Sequence, residues 1–292
     1  MAADSWTAEP GDDQPRVAVV IVTFNSAEVL GGCLRSLTSV GVDIPAVVVV
    51  DNASRDGSVA LAESTAGVPV TTVQMGRNAG YAAALNAGIA ALDIRKLTGV
   101  FVMNPDCRLR PDTLKVLADA LREPGRGLAV PLMLNPDGTL QPSLRRAPTV
   151  TRAIAEAVVG GERAGRTGRL GELITDPHGY ERPGPVVWAT GAAVLVAAEA
   201  VRDIGPWDES FLLYSEETEY MLRAADRGWS TWYEPAAVVE HIGGESGTNP
   251  LLAALLIANK VELFRRRHNP VSAAAYHGAV LLGELMRAAA GR

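Results

Sequence analysis

Cysteine is nearly absent: Cys33 and Cys107 are the only two in 292 residues, and neither has a companion at metal-ligand spacing. That excludes a disulfide scaffold and fits a reducing compartment. No uninterrupted apolar stretch is long enough to cross a bilayer. The start, Met1 to Pro15, is polar and acidic and lacks the apolar core of a signal peptide. A cytoplasmic protein with a disordered leader over 1–15 is expected, with peripheral contact at a membrane surface left open. Positive charge is also short. A net charge of −6 argues against a general nucleic-acid binder. No Gly-x-Gly-x-x-Gly lies between the first strand and the first helix, and there is no Walker loop, which disfavours dinucleotide and P-loop chemistry. No Ser-His-Asp or Cys-His set and no internal repeat stand out.

What is present is apolar material, 48% of the chain, in short blocks. Val17 to Thr23 and Ala46 to Asp51 are continuous apolar runs of the kind buried on both faces of a parallel sheet. Val70 to Gln74 and Val100 to Met103 supply two more strands. Between and after them, Ala27 to Leu37, Asp56 to Ser64, Tyr81 to Leu92 and Pro111 to Leu121 have helical spacing. The alternation predicts an α/β fold, a mostly parallel sheet flanked by helices. Right-handed crossovers bring the loops after Thr23, Val50 and Met103 to one sheet edge, where such folds bind ligands. Beyond this, Leu128 to Leu134 and Gly191 to Ala197 are expected strands, and Gly160 to Pro185 a long loop. Ser215 to Arg227 is an expected helix, and Thr231 to Tyr233 and Ala237 to Glu240 are expected short strands. Two helical patterns split by Asn269-Pro270 close the chain. The expected domains are a leader over 1–15, a main domain over 16–249 and a helical extension over 250–292.

Asp106 follows a buried strand in Met103-Asn104-Pro105-Asp106. A single carboxylate there suits Mg²⁺ or Mn²⁺ completed by the oxygens of a diphosphate, or it caps the following helix. Asp51, in Asp51-Asn52-Ala53-Ser54, either accepts from a pyrimidine imide N–H or belongs to a turn and cap. Gly76-Arg77-Asn78-Ala79-Gly80-Tyr81, with Asn86 and Gly88, allows a ligand close to the backbone or makes a tight turn onto a small-residue packing face. Glu216 and Glu217 open a helix that Ser215 could cap. The helix dipole accounts for such acids, and so does a general base. His241, ahead of the glycine-rich 242–247, is a structural residue or a metal ligand. Arg265-Arg266-Arg267-His268 is a solvated helix end or a contact for anionic lipid head groups.

Taken in order, these motifs resemble family 2 inverting glycosyltransferases and, within them, the rhamnosyltransferase-like branch. The likeness runs from Val17 to about Pro270. It rests on ValThrPheAsn at 22–25, AspAsnAlaSer at 51–54, Asn78-x-Gly80-Tyr81 with Asn86, and AsnProAsp at 104–106. Trp188-x-x-Gly191-Ala192, TrpAspGluSerPhe at 207–211, TyrSerGluGlu at 214–217, Arg223 to Trp229, and His241 complete it. The resemblance implies a nucleotide-diphospho-sugar transferase fold of GT-A type. It also implies that Asp51 binds the base, with Thr23, Asn25 and Asn52 beside it. Arg77, Asn78, Gly80, Tyr81, Asn86 and Asn104 would line the donor cleft. Asp106 and His241 would hold Mg²⁺ or Mn²⁺, and Trp188, Gly191 and Ala192 would border the sugar and acceptor. The implied base is Glu217, where relatives often carry Asp, with Glu216 as the alternative.

The expected activity is metal-dependent, inverting transfer of a sugar, foremost L-rhamnose from dTDP-rhamnose. A dTDP- or UDP-sugar is the donor and a glycan or polyprenyl-diphosphate-linked hydroxyl the acceptor. A homodimer is compatible with this, and nucleic acid is not an expected partner. Transfer to a small secondary metabolite and a non-catalytic nucleotide-sugar-binding protein are the alternatives. A sugar-phosphate nucleotidyltransferase lacks its glycine- and lysine-bearing loop here.

Overall fold

Val17–Thr23 (β1) is buried at every position because both faces of the strand are covered. Val17, Val19 and Ile21 point into one apolar layer, and Val20 and Val22 into the other. The computed structural model describes residues 14–166, 170–243 and 249–289. The period-2 division is repeated in Val47–Asp51 (β2), which follows Ala27–Ser36 (α1). Next come Ser58–Ser64 (α2), Val70–Gln74 (β3), Tyr81–Ala90 (α3) and Gly99–Met103 (β4). Burying each such Val or Phe contributes roughly 1.5–3 kcal/mol.

The next elements are Cys107–Leu109 (β5), Thr113–Ala120 (α4), Arg126–Leu134 (β6), Leu144–Arg145 (β7), Val150–Val159 (α5) and Gly161–Arg166 (α6). Gly184–Val186 (β8), Trp188–Ala189 (β9), Ala193–Ala197 (β10), Ala198–Ile204 (α7) and Glu216–Asp226 (α8) follow. Ser230–His241 (β11), Pro250–Arg267 (α9) and Pro270–Ala289 (α10) end the described chain. The main sheet has nine strands in the order β3-β2-β1-β4-β10-β6-β11-β5, with β8 also on β11. The first four neighbours are parallel, and β10 is antiparallel to both β4 and β6. This is the mixed, mostly parallel sheet expected, with helices on its faces and two helices at the C-terminal end.

Three expectations change. Residues 160–185 are not one long loop: α6, a 3₁₀ turn at Pro177–Tyr180 and β8 lie within them. The two short strands after Thr231 are one, β11, whose register shifts between Glu234 and Val238, around Pro235, which has no N–H to give the ladder. Asp106 caps no helix, because β5 intervenes and α4 starts only at Thr113 after Asp112. Most of the leader, 1–13, lies outside the described residues.

Gly88 decides how closely α3 sits on the sheet. A Cβ there would meet Val20 Cγ1 at 2.5 Å and Val50 Cγ2 at 2.8 Å. Gly88→Val is expected to lower the unfolding free energy by about 1–3 kcal/mol, the usual cost of overpacking, measured by chemical denaturation.

Candidate active site

Parallel pairing places Thr23 opposite Asp51 at the carboxyl edge, and antiparallel pairing sets Met103 opposite Ala193 at the same edge. The Asp51 carboxylate is buried there. One oxygen accepts from Thr23 Oγ1 (3.2 Å) and the other from the Ser54 N–H (2.9 Å). Asn25, in a left-handed conformation, accepts from the Arg55 N–H at Oδ1 and so links the loops that follow β1 and β2. The amide of Asn52 holds the next loop, donating to Gly80 O (3.1 Å) and accepting from the Ala79 N–H (3.2 Å). Asn78 accepts from the Gly80 N–H. Gly80 has φ +93°, and a Cβ would lie 2.5 Å from Leu212 O, so only glycine fits. Arg77 is exposed at the rim.

Asn86 departs from its expected place in the cleft. Its amide donates to Trp207 O (2.9 Å) and Glu209 Oε1 (2.8 Å) and accepts from the Trp207 N–H (2.9 Å). With both ends of the amide engaged, it acts as a clamp on the 207–209 segment. The buried Trp207 in turn stacks on Tyr220, ring centroids 4.2 Å apart.

β5 and the end of β11 pair antiparallel, His241 opposite Cys107, which brings Asp106 beside His241. His241 Nε2 lies 3.4 Å from Asp106 Oδ2, and the Gly243 N–H donates to that same oxygen (2.9 Å). Burial acts to raise the Asp106 pKa, but His241 and the Gly243 N–H outweigh it and hold the carboxyl below its ordinary value. The other imidazole nitrogen meets Gln141 Oε1 at 2.7 Å, while Gln141 Nε2 donates to Asn135 Oδ1 and His241 O. An amide oxygen only accepts, so Nδ1 carries a proton, and Nε2 is the nitrogen left to face the carboxylate.

A carboxylate oxygen and an imidazole nitrogen so close fit a divalent cation whose shell is completed from outside the protein. Asn104, next to this pair, anchors through its backbone N–H to Ala192 O (2.9 Å). Contrary to the spacing argument, Cys107 also belongs here: its sulfur, the Asp106 carboxylate and the His241 ring lie within 4.8 Å of one another. Burial and then the Asp106 charge push the Cys107 thiol well up, and it donates to Ala192 O (3.3 Å), so it stays protonated and is no thiolate ligand. Gln141→Leu is expected to weaken Mn²⁺ binding about 10–100-fold by isothermal titration calorimetry, because the imidazole loses its tautomeric lock. Residues 244–248 of the glycine-rich segment lie outside the described residues.

Glu217 lies beside Gly191, which precedes Ala192 in the chain, and the Ala192 carbonyl accepts from Asn104 and Cys107. Tyr214 (φ 69°) and Ser215 (φ 74°) are consecutive left-handed residues, an uncommon and costly arrangement for non-glycines. Ser215 therefore does not act as the expected cap, and its side chain makes no capping bond. The turn aims α8's first residues inward. Glu216 Oε2 and Glu217 Oε2 are shut off from solvent with no hydrogen-bond partner among the described residues. Burial raises both pKa values, and the Glu217 charge adds to the rise of Glu216.

Gly191 makes room: a Cβ there would lie 2.9 Å from Glu217 Cβ. Tyr81 ties the two halves together. Its hydroxyl donates to Gly191 O (3.4 Å), and burial, followed by the charges of Glu216, Glu217 and Asp106 among others, raises its pKa. Trp188 is buried beside Glu217's neighbourhood, its indole N–H donating to Arg146 O (3.1 Å) and its ring under Arg145. The edge thus joins a cation-suited pair and a glutamate with one buried acceptor oxygen that has no partner among the described residues. That is equipment for proton removal next to a bound anion.

Sequence reasoning passed over three participants. Gln141 is 100 residues from His241, Arg145 sits in a two-residue strand, and Asn259 of α9 donates to Leu213 O (2.9 Å) and Tyr214 O (3.2 Å), bracing the strained turn. Only the polar Gln141-Pro142-Ser143 interruption hinted at the first. The 265–267 arginines are not free for head groups: they pair with Glu262, Asp208 and Asp226. Hydrogen bonds from Arg265 and Arg266 hold the Glu262 carboxyl down at about 2.

Residues 18–163 match the family model described as Glycosyl transferase family 2. The chain is 32% identical over 247 residues to the N-acetylglucosaminyl-diphospho-decaprenol L-rhamnosyltransferase of Mycobacterium tuberculosis (strain CDC 1551 / Oshkosh), covering 80% of this chain and 78% of that one. It is 25% identical to the low-salt glycan biosynthesis hexosyltransferase Agl10 of Haloferax volcanii, over 71% of this chain and 61% of that one. Among solved structures, the mannosyltransferase PcManGT from Pyrobaculum calidifontis, in complex with GDP-Man and Mn²⁺, superposes with a TM-score of 0.59. That match has 18% identity and covers 95% of this chain and 75% of that one, a likeness of fold that agrees with the GT-A architecture. The chain belongs to glycosyl transferase family 2, on its rhamnosyltransferase-like branch.

Proposed function

We propose that this glycosyltransferase is metal-dependent and inverting, and that it moves L-rhamnose from dTDP-rhamnose to a hydroxyl of a lipid-linked glycan. The observation that carries the reading is the Glu217 carboxylate, one oxygen of which is closed to solvent and without a hydrogen-bond partner among the described residues, seated on Gly191 at the same sheet edge as the Asp106–His241 pair. The name of the mycobacterial relative supports the sugar and the diphospho-lipid acceptor. In this reading Glu217 takes the proton of the acceptor hydroxyl as that oxygen displaces the diphosphate at the anomeric carbon in one step. Asp106 and His241 would hold Mg²⁺ or Mn²⁺, which would supply neutralisation of charge on the departing diphosphate. Asp51, with Thr23 and Asn52 behind it, faces the pyrimidine. Arg77, Asn78, Gly80 and Asn104 border the diphosphate and sugar, and Trp188, Gly191 and Ala192 border the acceptor. The strained Tyr214–Ser215 turn fixes where the base stands before substrate arrives.

Among the described residues no helix is long and apolar enough to cross a membrane. Exposed apolar side chains on α9 and α10, Leu251 at 80% and Leu285 at 68%, support peripheral contact with a membrane surface. The test is an assay of a panel of dTDP- and UDP-sugars with Mg²⁺ or Mn²⁺ and a GlcNAc-diphospho-lipid acceptor, with the product's anomeric configuration read by NMR. Turnover of dTDP-rhamnose with inversion, abolished by EDTA, is expected. No transfer or hydrolysis of any donor, together with no binding of dTDP or UDP, would overturn the reading.

A further inference from the structure

Some arginines near the site have an acid: Arg223 meets Glu219, and the more exposed Arg266 and Arg267 meet Asp208 and Asp226. Others, Arg108 and Arg126, give guanidinium N–H groups to backbone carbonyls. Arg145, Arg146 and Arg152 stand together without an acid. They are half-buried, and none forms an ion pair with a described residue. Arg146 Nη1 donates to Gly171 O (2.8 Å) and Arg152 Nη1 to Ala147 O (2.8 Å), both neutral acceptors. Arg145 lies over the Trp188 ring, 5.0 Å from its centroid. The Nε atoms of Arg145 and Arg152 are closed to solvent and have no acceptor. Burial and then the Arg152 charge lower the Arg146 pKa, and the opposing pull of Tyr180 and Asp176 does not cancel them, so like charges stand close. Partly desolvated guanidinium groups left without counter-charge are costly, and their planar forks match phosphate oxygens.

Trp188 links Arg145 and Arg146, and the Arg145 charge reaches the Glu217 carboxylate. Arg152 lies in the first turn of α5, and the same helix then exposes Ile154, Val158 and Val159. Along the chain from Arg145 to Val159 the half-buried groups are first cationic and the exposed ones then apolar, the order of groups in an amphiphile with an anionic head.

We propose that Arg145, Arg146 and Arg152 seat the diphosphate of a lipid-linked acceptor, with its hydrocarbon chain along the exposed apolar side chains of α5. The assignment rests on the acceptor class given under Proposed function. It also separates the acceptor's diphosphate from the donor's, which falls to the Asp106–His241 pair.

The test is calorimetric and needs no turnover. The full chain in EDTA, which removes divalent cations from the donor side, is titrated with farnesyl diphosphate, inorganic pyrophosphate and farnesol. Farnesyl diphosphate should bind the tightest of the three. Arg145→Gln and Arg152→Gln should each weaken it about 10–100-fold, the worth of a charge-assisted hydrogen bond. Arg145→Lys should keep part of the affinity. Thermal melting and Mn²⁺-dependent dTDP binding confirm that each variant is folded, and Arg152→Gln, farther from Glu217, serves if Arg145→Gln is not. Absence of farnesyl diphosphate binding, or equal binding by wild type and both Gln variants, overturns the proposal. Pyrophosphate binding as tightly as farnesyl diphosphate overturns the lipid assignment. Failure of the underlying reading shows elsewhere, as a lack of donor turnover.

Discussion

Glu217→Gln is expected to lower kcat by about 10²–10⁴-fold, the usual worth of a positioned general base, while dTDP-sugar affinity is retained. The amide keeps the shape packed against Gly191 and removes only the capacity to accept a proton. The melting temperature should not fall, because the variant relieves a buried carboxylate that has no hydrogen-bond partner at Oε2. The pH profile gives a second readout. Burial raises the Glu217 pKa, and the base must be ionised to work, so kcat/KM falls as pH drops through that raised value, sooner than for an ordinary glutamate.

Glu216→Gln separates the two candidates. Glu216 is pushed up further than Glu217, in part by the Glu217 charge, so it is the neutral partner while Glu217 ionises; the variant should leave the acid limb nearly in place and leave substantial turnover. Its effect on stability has a definite sign. Glu216 has a raised folded-state pKa, so its contribution to stability is complete below the unfolded-state value and is lost as pH rises through the folded one. The variant should therefore melt higher than wild type at about pH 8 and alike at about pH 4. A Glu216→Gln protein as dead as Glu217→Gln would transfer the base role to Glu216.

Asp106→Asn should abolish measurable Mn²⁺ binding and reduce turnover by at least about 10²-fold, the scale of several kcal/mol of lost charge stabilisation. The substitution keeps an oxygen for the Gly243 N–H, so the β5–β11 corner should hold its shape. Donor binding discriminates further. In wild type Mn²⁺ should tighten dTDP-sugar binding, and in Asp106→Asn the titration with Mn²⁺ should match the one in EDTA. Retained metal-dependent tightening would remove Asp106 from the site.

The sheet was legible because its strands are nearly unbroken β-branched runs, and Val17 to Thr23 and Val47 to Asp51 could be little else. The site's main side chains were legible because three of the loops they occupy follow such runs, at the edge where α/β sheets bind ligands. What escaped was long-range or conformational. Helical spacing cannot show that Asn259 reaches back to Leu213, or that Gln141 orients a histidine 100 residues on. Ser215 has the chemistry of a cap but a left-handed backbone, a fact of tertiary context. Asn86 carries the polarity of a ligand contact, yet the backbone of Trp207 claims it. Arg266 and Arg267 looked like free charge because Asp208 and Asp226 come from other elements, whereas Arg265 meets Glu262 within α9.

The pairing of His241 with Cys107 acts as a ruler. Asp106 and His241 are separated by sheet register and not by loop length, so their spacing cannot be adjusted gradually. Inserting or deleting one residue within 107–109 or 239–241 would turn the following side chains to the opposite face of the sheet. Substitutions at this corner can change how a cation is held, whereas length changes there can only abolish the site. Inserted sequence has room to accumulate elsewhere, such as the exposed Pro136–Gly138 turn.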